Sequence, residues 1–182
     1  MTEKTKDLEF LDWIKTILFA LIIAFFIKIF IMDATKVEGN SMLNTLHSGD
    51  MLFVDKVSKH FKGYNRADIV IIEAPDQADT LYIKRIVGMP GDNIEVKNGS
   101  VYVNGEIYEE NYINSEETLI TNGNSSWEVQ DDEYFVMGDN RLPNASNDSR
   151  NFGPISEENI VGHAFLRFFP IYDIGFVDKE NR

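Results

Sequence analysis

A long apolar run near the N-terminus restricts what this chain can fold into more than any other feature. The run KTILFALIIAFFIKIFIM covers Lys15–Met32 and contains one internal charge, Lys28. A helix over residues 13–32 would be about 30 Å long, which matches the hydrocarbon core of a bilayer. Trp13 suits the membrane interface, and the lysines near either end can extend their charges toward the headgroups. The sequence therefore predicts a transmembrane anchor at residues 13–32.

Two alternatives to an anchor fit the run and its flanks less well. A cleavable secretory signal needs a small-x-small cleavage site, but the segment after the run reads MDATKVEG, and the segment before it is not cleanly basic. A buried helix of a soluble domain is seldom so uninterrupted an apolar run. Lysines are more frequent before the run than just after it. This asymmetry predicts that residues 1–12 are cytoplasmic and that residues 33–182 are extracytoplasmic.

Charge and composition exclude several function classes. The net charge of −13 lies wholly in residues 33–182, because the acidic and basic residues of 1–32 balance. That part of the chain would repel nucleic acid, and no basic patch with interleaved aromatic residues occurs. The chain lacks cysteine, which excludes disulfides and a thiol nucleophile. Its histidines, His47, His60 and His163, are widely spaced and show no HExxH pattern, so we expect neither a metal site nor a cofactor.

Beyond residue 33 the chain has the pattern of short β-strands. DIVIIEAP and LYIKRIVG are apolar runs bounded by turn formers, and NIEVKNGSVYVNGEIY alternates around two Asn-Gly pairs that suit tight hairpin turns. Further strands are predicted at SWEVQ, EYFVMGD and IVGHAFLRFF. The polar residues 108–126 are expected to form an excursion or a loose loop. We predict a mostly β domain over residues 33–182, with a smaller β subdomain at about 92–132.

One predicted strand carries a charge where an apolar residue is expected. In LYIKRIVG, alternation places Lys84 on the same face as Tyr82 and Ile86. A buried lysine can serve as general base for a serine once it is neutral, and Ser41 lies just beyond the predicted anchor in VEGNSMLNTLHSGD. Lowering a lysine pKa from about 10.4 to about 7.5 costs about 4 kcal/mol, which several apolar neighbours can supply. The alternative is that Lys84 faces solvent or pairs with an acidic residue, and that Ser41 is an ordinary turn residue.

Three ordered motifs follow the predicted anchor: NSMLNTLHSGD, YIKRIVGMPGD and VMGDNRLPNASNDSRNFG. Together they resemble the bacterial type I signal peptidase (leader peptidase) family, in its small Gram-positive form with one N-terminal anchor. The resemblance implies a β-rich catalytic domain with a small β-hairpin insertion, at the outer face of the cell membrane. It implies a serine endopeptidase, without cofactor or metal, that removes signal peptides from exported preproteins at Ala-x-Ala-like sites. Its partners would then be preprotein signal peptides and the lipid bilayer.

The resemblance also implies roles for individual residues. Ser41 is implied as the nucleophile whose backbone N–H helps form the oxyanion hole, Lys84 as the general base, and Ser146 as the residue that holds the lysine. The substrate-pocket positions implied by the motifs are Met42, Leu46, Tyr82, Ile83 and Met137. We expect Gly138 to allow a close backbone approach, since it lacks a Cβ. The charged residues expected to form ion pairs beneath the site are Arg85, Asp139, Arg141, Asp148 and Arg150.

The sequence departs from the family pattern near the implied nucleophile. Asn44 occupies the usual proline position, and Gly39 occupies a position where some relatives carry a hydroxyl that donates to the oxyanion. Two extra residues precede Ser146 in the third motif. An alternative function is therefore that of a specialised or catalytically inactive anchored relative, which serves or binds a narrow client set such as pilin subunits. A Ser-His mechanism through His47 or His163 is a further alternative.

Overall fold

The first element of the fold is a single long helix. The computed structural model describes residues 3–57 and 63–177, so His60 lies outside the described residues. Helix α1 covers Glu3–Phe30 without interruption. Its described large apolar side chains, from Phe10 to Ile27, are exposed. Within the two described stretches, no helix has the length and apolar character needed to cross a membrane.

Short strands make up most of the remaining structure. In chain order they are β1 (Met32–Lys36), β2 (Met51–Asp55), β3 (Ile69–Glu73), β4 (Leu81–Gly88), β5 (Asn93–Lys97), β6 (Ser100–Val103), β7 (Glu106–Ile107), β8 (Ser126–Glu128), β9 (Glu133–Met137), β10 (Ile155–Ser156), β11 (Ile160–Phe169) and β12 (Gly175–Phe176). A one-turn helix, α2 (Ser149–Phe152), precedes β10. Two 3₁₀ turns, Glu157–Asn159 and Ile171–Asp173, flank β11. The prediction of a mostly β fold is confirmed.

The strands form two antiparallel sheets. In the described part of the chain, the larger sheet has the order β1-β2-β11-β3-β4-β9-β10, with β12 paired to β11, and the smaller sheet has the order β7-β6-β5-β8. Every apolar run predicted as a strand contains one. Asn98 and Asn104 adopt positive φ angles of 50° and 53°, which confirms the two tight Asn-Gly turns. The sequence does not predict strands β1, β2, β10 and β12 or helix α2. Strands β10 and β12 have two residues each and α2 is one turn, so no period can stand out in them.

Strand β3 is buried on both faces. Ile69 and Ile71 pack into one apolar cluster, which also contains three residues of the loop between β1 and β2. Val70 and Ile72 point the other way and pack into a second cluster with residues of β4, β9 and β11. A strand covered on both sides is expected to be apolar throughout, as the run IVII is. Strand β4 pairs with this buried strand over residues 81–85, so the core also fixes the position of β4.

Candidate active site

Ser41 lies in the loop between β1 and β2. The N–H groups of Thr45 and Leu46 donate to the Met42 carbonyl at 2.9 and 2.8 Å, which closes a turn just after the serine. The side chains of Met42 and Leu46 are buried in the core and anchor this turn. Ser41 itself remains partly exposed. The loop therefore fixes a hydroxyl group where solvent and a substrate can reach it.

Lys84 projects from β4 toward that hydroxyl. Its Nζ donates hydrogen bonds to Ser41 Oγ and to the Ile83 carbonyl, both at 3.1 Å. Only 3% of the residue is exposed. This burial lowers the pKa of Lys84 to about 8, although the Asp148 and Asp139 carboxylates act in the opposite direction. An appreciable fraction of such a lysine is neutral near pH 7–8, so Nζ can accept a proton from Ser41.

The carboxylates nearest the buried lysine are paired with arginines. Asp139 accepts hydrogen bonds from Arg85 Nε at 2.9 Å and Nη2 at 2.7 Å. Asp148 accepts from Arg150 Nε at 2.9 Å and Nη2 at 2.8 Å. Burial raises the pKa of Asp148, but Arg150 and the Gly138 N–H outweigh it, so that this pKa lies below its ordinary value. Each pair places a cation beside the anion and weakens the field that the carboxylate exerts on the lysine.

Arg141 finds its partner outside the three motifs. Its guanidinium binds both carboxylate oxygens of Glu110, and its Nη1 donates to Thr118 Oγ1 at 2.8 Å. The Arg141 side chain is fully buried, and that of Glu110 is nearly so. Glu110 and Thr118 belong to the segment 108–125, which joins β7 to β8 and has no regular secondary structure. No local pattern in the sequence points to Glu110 as a partner of the third motif.

Further contacts tie the 108–125 segment to the site. The Tyr112 ring lies over the Arg85 guanidinium at 4.1 Å, a cation–π contact. Asn44, the residue at the usual proline position, donates from Nδ2 to the Ile113 carbonyl at 3.5 Å. Of the two expectations for these residues, an excursion or a loose loop, the second is therefore wrong for this part of the segment. Its polar side chains have partners that are distant in sequence. Because the sequence does not reveal those partners, the polar stretch has the same pattern as a solvated loop.

Gly138 lies directly against the loop between β1 and β2 that contains Ser41. A Cβ at this position would be 2.5 Å from the Ser41 carbonyl oxygen and would collide with the Ser146 side chain. The buried Ser146 hydroxyl makes no hydrogen bond to Lys84, contrary to the role that the resemblance implies. The Ile83 carbonyl holds the lysine instead. The two extra residues before Ser146 lie in the turn that leads to this position.

The five implied substrate-pocket positions differ in exposure. Tyr82 and Ile83 are partly exposed on the first half of β4. Met42, Leu46 and Met137 are buried, at no more than 2% exposure. These three side chains belong to the packed core and not to an open pocket wall.

The described histidines make no hydrogen bond to Ser41. His47 is exposed in the same loop, and its backbone N–H donates to Asp50. His163 lies on β11 with Nε2 3.9 Å from an Asp68 carboxylate oxygen. Over residues 3–57 and 63–177, no group of histidine and acidic side chains could hold a metal ion. The geometry thus gives the serine one nitrogen base, and it is a lysine.

Comparison with known proteins identifies the family. The family model described as "Signal peptidase, peptidase S26" matches residues 10–169. The chain belongs to the signal peptidase family, peptidase S26. Membership makes it a hydrolase of the serine protease class, and it confirms the resemblance based on the three motifs.

Relatives in this family resemble the chain over most of its length. Signal peptidase I P of Bacillus subtilis subsp. natto is 40% identical over 177 residues, which cover 93% of this chain and 94% of the relative. Signal peptidase I T of Bacillus subtilis (strain 168) is 37% identical over 181 residues, covering 95% and 92%. A crystal structure of a signal peptidase I from Enterococcus faecalis V583 is 29% identical and aligns with a TM-score of 0.47, covering 56% of this chain and 97% of that one.

The lowered pKa of Lys84 predicts that this lysine destabilises the fold. Its folded-state pKa of about 8 lies below the ordinary value of 10.5, so the unfolded chain binds more protons between these values and stability rises with pH across that window. Below pH 8 the whole penalty applies, at about 1.4 kcal/mol per unit of pKa. We expect Lys84→Met to raise the free energy of unfolding at pH 7 by about 2–3 kcal/mol, with a smaller gain near pH 10.

The measurement is denaturant unfolding of both proteins at pH 7 and pH 10. Lys97→Met is the matched control, since Lys97 lies on the surface of β5 beside Glu95. Its stability is expected to stay within about 0.5 kcal/mol of the parent at either pH. If Lys84→Met were less stable than the parent at pH 7, burial of this lysine would not destabilise the fold, and the prediction would be wrong.

Proposed function

We propose that this chain removes signal peptides from exported preproteins by cutting after small residues, with Ser41 as nucleophile and Lys84 as general base. The observation that carries the proposal is the 3.1 Å contact between Lys84 Nζ and Ser41 Oγ, made by a lysine whose burial lowers its pKa to about 8. Relatives named signal peptidase I, 40% and 37% identical, support the substrate class.

Two protons pass through Lys84 Nζ in turn during the proposed reaction. Ser41 Oγ attacks the scissile carbonyl carbon while its proton passes to neutral Lys84 Nζ. The peptide C–N bond then breaks, and the lysine gives this proton to the leaving amine, which leaves an ester on Ser41. A water molecule next transfers a proton to Nζ as it attacks the ester, and that proton returns to Ser41 Oγ as the acid product leaves. One lysine therefore serves both half-reactions.

The negative charge that develops on the scissile oxygen needs a hydrogen-bond donor. Within the described residues, the Ser41 backbone N–H donates to no protein acceptor, so it is available beside the attacking oxygen. A preorganised donor of this kind lowers a reaction barrier by about 3–4 kcal/mol. Gly39 is exposed and has no side-chain donor. The proposal therefore relies on backbone donors for the oxyanion.

The free edge of β4 supports binding of an extended peptide. Strand β9 pairs with β4 only from Arg85 onward, which leaves the stretch 81–84 without a described strand partner on that side. An extended substrate can add to such an edge through main-chain hydrogen bonds. Its side chains would then face Tyr82, Ile83 and the packed core near Ser41. Because Met42, Leu46 and Met137 are packed in that core, we expect small residues before the cut to fit best.

The first test is cleavage of a preprotein with an Ala-x-Ala site by the full chain in detergent. The parent should cut at that site. Ser41→Ala and Lys84→Ala should each lower kcat by at least about 10³-fold, since neither can complete the proton transfer. His47→Ala should retain parent activity.

Ser48→Ala and Lys97→Ala are matched controls for the two substitutions, since Ser48 is exposed in the same loop and Lys97 lies far along the sequence on β5. Both should cut at the parent rate. A silent parent, folded and assayed beside an active signal peptidase on the same substrate, would favour a narrow client set or a non-catalytic relative. Loss of activity in His47→Ala with retention in Lys84→Ala would overturn the Ser-Lys mechanism.

The pH dependence provides a second test. Because only neutral Lys84 accepts a proton, kcat/KM should rise about tenfold per pH unit below pH 8 and level off above it. Asp76 is one of the carboxylates that raise this pKa. Asp76→Asn should therefore move the midpoint to lower pH by a few tenths of a unit, whereas Asp79→Asn, exposed in the same turn, should leave it unchanged. A shift to higher pH in Asp76→Asn would contradict this assignment.

We infer that residues 13–32 anchor the chain in the membrane, with residues 33–182 outside. The support is the apolar sequence of the run and the exposure of its described side chains on α1, which the β domain leaves uncovered. The full chain should stay in the membrane fraction after washing at high pH. In intact cells, externally added protease should degrade the domain but leave the N-terminus intact. Release by the wash would contradict anchoring, and protection of the domain would contradict the orientation.

A further inference from the structure

Asn140 holds the backbone on both sides of Ser41. Its own N–H donates to the Ser41 carbonyl at 2.9 Å, and its side-chain Nδ2 donates to the Asn40 carbonyl, also at 2.9 Å. The residue is 4% exposed, so these bonds form away from competing water. Both peptide units that flank the nucleophile are thus bound by one residue of the third motif, and the Leu43 N–H adds a longer bond of 3.3 Å to the Asn40 carbonyl.

A second asparagine fixes the orientation of the Asn140 amide. Asn114, in the 108–125 segment, donates from Nδ2 to Asn140 Oδ1 at 2.7 Å. Its Oδ1 accepts from the Arg141 backbone N–H at 2.9 Å. Four groups therefore form a relay that runs from the Arg141 N–H through Asn114 and Asn140 to the Asn40 carbonyl.

The two ends of this relay determine every orientation within it. A backbone N–H can only donate and a carbonyl oxygen can only accept. Asn114 must therefore turn its oxygen to Arg141 and its NH₂ to Asn140, and Asn140 must turn its NH₂ to Asn40. Rotating either amide by half a turn would bring two oxygens or two NH₂ groups together. The directions of the side-chain amides thus follow from the backbone and need no separate assignment.

The Asn40 carbonyl in turn orients the Ser41 N–H. The peptide bond between these residues is not among the cis bonds of the described chain, so its C=O and N–H point in opposite directions within one plane. Holding the carbonyl oxygen therefore sets the direction of the N–H at the other end of the same unit. That N–H is the proposed oxyanion donor.

We propose that Asn114 and Asn140 are positioning residues for the oxyanion hole. The inference rests on the proposed Ser-Lys function, because an oxyanion forms only if Ser41 attacks a carbonyl. Asn140 aims the Ser41 N–H through the Asn40 carbonyl. Asn114 keeps the Asn140 amide from rotating through the shorter of two bonds to its Oδ1, at 2.7 Å, and the Leu142 N–H donates to the same oxygen at 3.3 Å. The 108–125 segment is thereby part of the catalytic apparatus, although it contributes no group that touches the substrate.

Substitutions at Asn114 separate this relay from simple structural support. In Asn114→Asp, one carboxylate oxygen still accepts from Arg141, but the other faces Asn140 Oδ1. The Asn140 amide then rotates to donate to the carboxylate, and its oxygen repels the Asn40 carbonyl. Asn114→Ala removes the partner without forcing this rotation. The relay therefore predicts that the near-isosteric change to aspartate is more harmful than truncation to alanine.

Cleavage kinetics of the full chain in detergent, with the Ala-x-Ala preprotein, provide the test. We expect Asn114→Asp to lower kcat about 10- to 100-fold, with a smaller loss for Asn114→Ala. Removal of an oxyanion donor lowers kcat about 10²–10³-fold, and a misdirected donor should lower it by no more than that. KM should stay within about twofold of the parent, since the bond to the oxyanion forms only in the transition state. Asn140→Asp should behave like Asn114→Asp, and thermal unfolding shows whether each variant is folded.

Asn111→Asp is the matched control, because it adds the same charge to an exposed position of the same segment. It should cleave at the parent rate.

A second readout compares two peptides that end in the residue before the cut. One is a boronic acid, whose tetrahedral adduct with Ser41 places an oxygen at the oxyanion position, and the other is a carboxamide. Asn114→Asp should bind the boronic acid at least about tenfold more weakly than the parent and bind the carboxamide equally.

The outcomes distinguish this inference from the function on which it rests. A parent that cleaves the preprotein, with Asn114→Asp at the parent kcat, would overturn the relay and leave the proposed function intact. Equal losses of kcat in Asn114→Asp and Asn114→Ala would overturn the relay as well, and so would effects confined to KM. Either result would indicate that Asn114 only supports the structure. A parent that fails to cleave would remove the proposed function and the relay together.

Discussion

The burial of Lys84, with its pKa lowered to about 8, is the constraint on which the rest of the site depends. An unpaired carboxylate near Lys84 would attract its proton and return its pKa toward the ordinary value. Burial lowers that pKa to about 8, and the two carboxylates that oppose it most, Asp148 and Asp139, are each bound to an arginine. The pairs are Asp139 with Arg85 and Asp148 with Arg150, and a third buried pair joins Glu110 to Arg141. The buried arginines therefore belong to the environment of one lysine as much as to the stability of the fold.

The sequence predicts the parts of the structure whose signals are local. Strands β3 and β4 are apolar runs with turn formers at either end, and the hairpins of the smaller sheet carry their Asn-Gly pairs at the turns. For these elements a few neighbouring residues contain enough information. The contact between Ser41 and Lys84 is different, because the alternation in β4 leaves a solvent-facing lysine open and the pairing is implied by the resemblance of three ordered motifs to the family.

Other parts of the site depend on partners that the sequence does not place side by side. Glu110 and Arg141 are 31 positions apart, and Asn114 and Asn140 are 26 apart. Their segment is polar and lacks a period, and solvated loops have the same composition. The Ser146 hydroxyl shows the opposite error, since the motif implies a bond to the lysine that the packing does not form. Only the tertiary arrangement decides which polar side chain meets which.

The two buried faces of β3 have a consequence for cooperativity. Ile69 and Ile71 close the cluster under the loop that contains Ser41, while Val70 and Ile72 close the cluster on the other side. If β3 left the sheet, both clusters would be opened to water at once. Local opening that exposes only the catalytic side is therefore costly relative to unfolding of the whole larger sheet, and the strand couples the two halves into one cooperative unit.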